Sequence, residues 1–109
     1  MATLTTTARL LALLAVGICE ALKEERIEIR EAERLLFSPH VMSKAASIDP
    51  RIAELIHMGT ELDDIKDLVP EDYEPTIQRI RDAALNLLQT ASEESEHEQE
   101  HWVDSIVSE

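Results

Sequence analysis

The sequence predicts an all-α fold, a compact bundle of five or six helices around an apolar central first helix. Three observations carry that expectation. Gly occurs twice and Pro four times in 109 residues, too few for the many turns of an all-β domain. Hydrophobic residues make up 44% but aromatics only 3%, so the core must be aliphatic. Apolar positions also recur at helical spacing along most of the chain. A chain of this length accommodates one core, read here as a bundle over residues 1–91 and an acidic helical extension or tail over 92–109.

Thr5, Thr6 and Thr7 offer helix-start hydroxyls, and a first helix is expected from about Thr6 to Glu24. Its centre is apolar almost all the way round, the mark of a helix surrounded by others. Gly17 inside it lowers local helix stability but permits close approach of a neighbour. In the charged run that follows, Ile29, Ala32, Leu35 and Leu36 form one stripe of a short second helix. The charges between them read as a solvated face.

Ser38-Pro39 and Asp49-Pro50 each place a side-chain acceptor at an N-cap before proline at the first helical position. Short helices through about Ser47 and about Met58 are expected to follow. Gly59 suits the position after a helix end, free to adopt positive φ. Thr60 then restarts a short amphipathic turn, closed by a capping box with Asp63, with Leu62, Ile65 and Leu68 pointing inward. Pro70 ends it. From about Glu74 to Ala91 a clean stripe of Ile77, Ile80, Ala84, Leu87, Leu88 and Ala91 predicts the last long helix. Ser92 to His101 contains no apolar residue and five Glu, after which Trp102, Val103, Ile106 and Val107 resume the pattern. That tail reads as a continued helix or as a loop returning Trp102 to the body, with the helix favoured because nothing breaks it.

Net charge is −13 and unevenly spread. Residues 1–60 carry seven Lys/Arg and eight Asp/Glu, whereas residues 61–109 carry three and fifteen. So acidic a half repels phosphate backbones and disfavours nucleic acid, while it could attract a basic protein. Cys19 is the only cysteine, which excludes an internal disulfide and fits a reducing cytoplasm. It sits in an apolar run and reads as a buried, inert thiol. The run LLALLAVGI, residues 10–18, is too short to span a bilayer as a helix. As a signal-peptide core it lacks a small-residue cleavage site, because Ile18 precedes Cys19 and Glu20, Lys23, Glu24 and Glu25 follow. A core helix is the expected reading, with no membrane partner.

HEQEH, residues 97–101, matches H-E-x-x-H, which on a helix sets His97 and His101 on one face with Glu98 as general base toward a metal-bound water. A catalytic zinc also needs a third protein ligand. None follows in the expected place: Asp104 and Val107 occupy the positions of the Gly and third His in the extended motif. The variable positions are Gln99 and Glu100, in a run of further glutamates, whereas a dry site calls for uncharged ones. The His pair therefore remains only a weak metal candidate, and no cofactor is expected. DDIKD, residues 63–67, matches an acidic pattern that holds Mg²⁺ through diphosphate, but Asp63 is better explained as a capping acid and Asp64 and Asp67 as solvent-face acids. His40 follows a helix start, and His57 lies near a helix end, where a cationic ring favours the dipole.

The run GICEALKEERIEIREAERLLFSPHV, continued by IAELIHMGTELDDIKDLVP, resembles a family of small uncharacterised bacterial helical proteins. The likeness covers about residues 10–90, leaves HEQEH outside, and implies no activity. A vaguer likeness to helical bacteriocin-immunity proteins rests on size, charge and architecture alone. The favoured reading is a non-enzymatic protein-interaction module: its acidic half contacts a partner, basic in chemistry, and Trp102, Val103, Ile106 and Val107 dock on the body or form a homodimer. An immunity-like inhibitor of a basic toxin or nuclease is the first alternative. A metal-binding protein or hydrolase built on His97, Glu98 and His101 is the second.

Overall fold

The computed structural model of the chain describes residues 4–90. Thr5 opens α1 (Thr6–Lys23), its hydroxyl accepting the Ala8 N–H at 3.2 Å. α1 ends in two reverse bonds, from the Glu25 N–H to the Leu22 carbonyl at 3.0 Å and from the Arg26 N–H to the Ala21 carbonyl at 2.8 Å. This is the Schellman pattern, with Glu25 in the left-handed position at φ 58° where glycine is usual. The chain then runs through α2 (Ile29–Leu35) to Ser38, whose hydroxyl accepts the Val41 N–H at 3.2 Å. Proline takes the first position of both α3 (Pro39–Ala46) and α4 (Pro50–Thr60). Asp49 caps α4 by accepting the Arg51 N–H at 3.0 Å, so both cap-proline signals work as read. α5 (Leu62–Leu68), a 3-10 turn at Pro70–Asp72 and α6 (Tyr73–Thr90) complete the described chain.

The architecture is all-helical, and the described residues contain no strand. It rests on four helices of eight residues or more, α1, α3, α4 and α6, joined by the seven-residue turns α2 and α5. The expected bundle of five or six helices is therefore not matched. Nor is α1 central. It packs chiefly on α6, while α3 packs on α4, and α4 leans on both α6 and α1. The buried face of α1 is made of Ala8, Ala12, Ala15, Ile18, Cys19 and Leu22, while Leu13 is 54% exposed. Small side chains on that face let α6 approach, with Ile77, Ile80 and Ala84 buried opposite. The bulkier leucines of α1 are thereby turned to its flanks, which an almost uniformly apolar sequence conceals. Polar pairs align the two helices: Lys23 Nζ donates to Gln78 Oε1 at 3.2 Å, and Arg81 Nε lies 2.5 Å from Glu20 Oε2. The second is an ion pair by distance alone, since that Nε–H makes no hydrogen bond.

Three local expectations need correction. Gly59 lies inside α4 with ordinary φ and is buried, so it serves close packing rather than a positive-φ turn. Thr60 caps nothing; its hydroxyl donates to the His57 carbonyl at 2.6 Å, and Glu61 holds the N-cap position of α5 without a side-chain bond. Leu68 points outward at 76% exposure, because α5 lasts under two turns and only Leu62 is fully covered. Two fully buried residues escape helical periodicity because they lie outside helices, Leu4 before α1 and Phe37 after α2.

Candidate functional site

Concavities among the described residues include an acidic cleft, an apolar groove between α4 and α6, and a shallower one between α3 and α4 lined by Met42, Ala46, Ala53 and His57. The first is an acidic cleft of about 660 Å³ where the end of α1, the loop after it, α2, α5 and the start of α6 meet. Glu25, Glu28, Glu33, Asp63 and Glu74 line it, with Arg30 and Lys66 as the two cations and Leu22, Ile27, Ile29 and Tyr73 as the apolar part. The Schellman turn aims Glu25 there, since the left-handed residue reverses the chain toward α2. Tyr73 senses the field of the cleft. Burial pushes its hydroxyl above the usual range, and the Glu25, Glu74 and Asp63 carboxylates push it the same way. The Lys66 ammonium sits 5.1 Å from the centre of the Tyr73 ring, a cation–π contact inside an acidic surround.

Beside the cleft, α5 and the 3-10 turn present Asp64, Asp67, Glu71 and Asp72, all exposed, around the exposed side chains of Leu68 and Val69. The acidic surface thus has an apolar tip. Of DDIKD, only Asp63 belongs to the cleft lining, and among the described residues no three His, Cys, Asp or Glu stand close enough to hold a metal ion.

The second concavity is an apolar groove of about 510 Å³ between α4 and α6. Leu55, Met58, Ala83 and Leu87 form its walls, and Arg51, Glu54, His57 and Asn86 its rim. Arg51 is held by Asp49, Nε donating to Oδ1 at 3.0 Å and Nη2 to Oδ2 at 2.8 Å. That bidentate pair holds the Asp49 carboxyl below the usual carboxylate range. On the last turn of α4, His57 Nε2 lies 3.5 Å from Glu61 Oε2, with both side chains exposed.

Sequence reasoning placed the acidic surface in residues 61–109, but the cleft draws Glu25, Glu28 and Glu33 from the charge-balanced half. Those residues read as a solvated helix face, and no spacing rule links them to Asp63 and Glu74. Only the tertiary turn after α1 brings them together. Tyr73 carried one signal, as the single tyrosine of the chain next to a helix start. His97, Glu98, His101, Trp102, Val103, Ile106 and Val107 lie outside the described residues, as does the expected extension over 92–109. Cys19 is buried against α6, where burial first and Glu20 second push its thiol up to about 12.

A small all-helical domain with an acidic cleft and no helix among the described residues long and apolar enough to cross a membrane is the class these observations define. The family described as "Protein of unknown function (DUF3969)" matches residues 3–104, and the chain belongs to it. The match runs beyond the 10–90 expected from the resemblance, and so takes in HEQEH and Trp102. A likeness to bacteriocin-immunity proteins is not shown. No curated protein and no solved structure matches the chain.

Proposed function

We propose that the protein is a non-enzymatic interaction module whose acidic cleft receives a basic segment of a partner protein. The observation that supports this reading is the convergence of Glu25, Glu28, Glu33, Asp63 and Glu74 on one cleft, with a cation already seated over Tyr73. A partner lysine or arginine entering there meets carboxylates on several sides and an aromatic face, both favourable to a cation. Leu68 and Val69 add an apolar contact at the edge, so a basic and amphipathic segment fits better than a bare polycation. Complementary charge of this kind speeds encounter and selects partners more than it adds affinity.

The test is comparative capture from cell extract with identification of the bound proteins. The wild type and the triple variant Glu25→Gln, Asp63→Asn, Glu74→Gln are run in parallel at low and high salt. A partner with a basic segment should be lost from the variant and from the high-salt arm, its affinity falling roughly tenfold or more, about 1.4 kcal/mol. A partner held equally by both proteins would sink the reading. Stoichiometric zinc in purified chain, lost on His97→Ala or His101→Ala, would instead favour the metal alternative.

A further inference from the structure

We infer that Lys66 is an internal occupant of the cation seat on Tyr73, and that a partner's lysine or arginine enters the acidic cleft by displacing it. The inference rests on the acidic-cleft reading and adds what fills the site before a partner arrives.

Lys66 lies in α5 and Tyr73 opens α6, so the pair joins two elements across the cleft. Five carboxylates line that cleft, yet the Lys66 ammonium rests 5.1 Å from the centre of the ring. The ion pairs among the described residues belong to Arg51, His57 and Arg81 instead. A lysine held by a ring face and by no carboxylate is held weakly. At an exposed site such a contact favours the seated form only about two- to fivefold, and Lys66 is exposed. Its backbone is lightly held as well: α5 spans seven residues, lacks a side-chain bond at its N-cap and buries only Leu62.

The seat outlasts its occupant. Tyr73 is half-buried and packs against the core, so the ring stays in place while the flexible lysine stem swings away. An incoming cation gains the ring together with the carboxylates around it, and its segment also meets Leu68 and Val69. Displacement has a definite cost, because the apparent affinity falls by the fraction of molecules whose seat is free. Removing Lys66 should therefore tighten binding about two- to fivefold beyond what loss of one positive charge brings. Arg30 supplies the comparison: it lines the same cleft with the same charge, while among the described residues Lys66 alone is seated on the ring.

The test is NMR of the isotopically labelled full chain, with a short acetylated and amidated peptide of alternating lysine and leucine as the probe. The chain has three lysines, and Lys66→Met identifies the Lys66 signals by their loss. In the free protein the ring current of Tyr73 should shift the Lys66 ε-methylene signals upfield, and Tyr73→Leu should abolish that shift. Saturating peptide should return the wild-type signals to the ordinary lysine position. Lys66→Met should bind the peptide about two- to fivefold more tightly than Arg30→Met does, a difference absent in a Tyr73→Leu background. The wild-type spectra need no substitution, so the test stands even if Tyr73→Leu fails to fold. Unshifted signals in the free protein, shifted signals that persist with peptide bound, or equal affinities of the two variants overturn the displacement and leave the cleft reading in place. A peptide bound by neither wild type nor variants brings down both.

Discussion

The ring of Phe37 lies so close over Gly59 that a Cβ built on the glycine would fall onto Cγ and Cδ1 of the ring. Both residues are buried, and Phe37 stands just after α2 while Gly59 lies in the last turns of α4. The contact fastens the α2 end of the chain to α4 through the absence of one methyl group.

The two glycines should therefore answer alanine substitution with opposite signs. Gly17 sits in α1 with nothing within 4 Å of an added Cβ, so Gly17→Ala should stabilise by about 0.5–1 kcal/mol through helix propensity. Gly59→Ala must displace the Phe37 ring and should destabilise by about 1–3 kcal/mol, despite the same propensity gain. Urea unfolding of the two variants beside the wild type measures both. Equal signs would contradict the packing.

Glu25 holds a left-handed conformation at φ 58° that an L side chain adopts at a cost of about 1–2 kcal/mol. Glu25→Gly should accordingly raise stability by about 1 kcal/mol, read as a higher thermal midpoint. The same change removes a carboxylate from the cleft, so partner binding should weaken while the fold gains. A variant that loses both would show that the Glu25 side chain supports the turn.

Asp49 supplies a pH signature. Its carboxylate caps α4 and grips Arg51, and Asp49→Ala should cost about 1–2 kcal/mol near neutral pH. The Arg51 hydrogen bonds hold its folded pKa below the unfolded value. The stabilisation is therefore present above the unfolded value of about 3.9 and is lost as pH falls through the lower folded one. Wild type and variant should converge in stability in strong acid. A gap that persists there would mean the carboxylate is not its source.

Cys19 should resist alkylation in the folded protein. With its thiol pushed up to about 12 by burial and then by Glu20, almost no thiolate exists at pH 8, and the sulfur is covered. Iodoacetamide labelling should proceed at the rate of unfolding and speed up with added urea. Stability should also fall as pH rises from the unfolded thiol value near 8.5 toward about 12, since only the unfolded chain ionises there.

What was legible in the sequence is local. Ser38-Pro39 and Asp49-Pro50 place two helix starts to the residue, because a side-chain acceptor before a proline has few other uses. The stripe from Ile77 to Leu88 likewise locates α6 within a residue or two. What failed depends on neighbours. LLALLAVGI is apolar on every side, so periodicity could not reveal that Ala12 and Ala15 face the core while Leu13 does not. Gly59 could serve a turn or a close contact, and only the ring of Phe37 decides between them. The acidic cleft is the same case: Glu25 and Asp63 meet through a chain reversal that neither residue announces.

The pairing of α1 with α6 also sets an order of events during synthesis. The Ala8–Cys19 face leaves the ribosome early, yet its main cover, Ile77, Ile80 and Ala84, is made some sixty residues later. At about 5–20 residues per second that interval is roughly three to twelve seconds. Throughout it the apolar first helix lacks its main partner and has only α2 and α4 to cover it, so the newborn chain is most exposed to aggregation or chaperone capture before α6 is made.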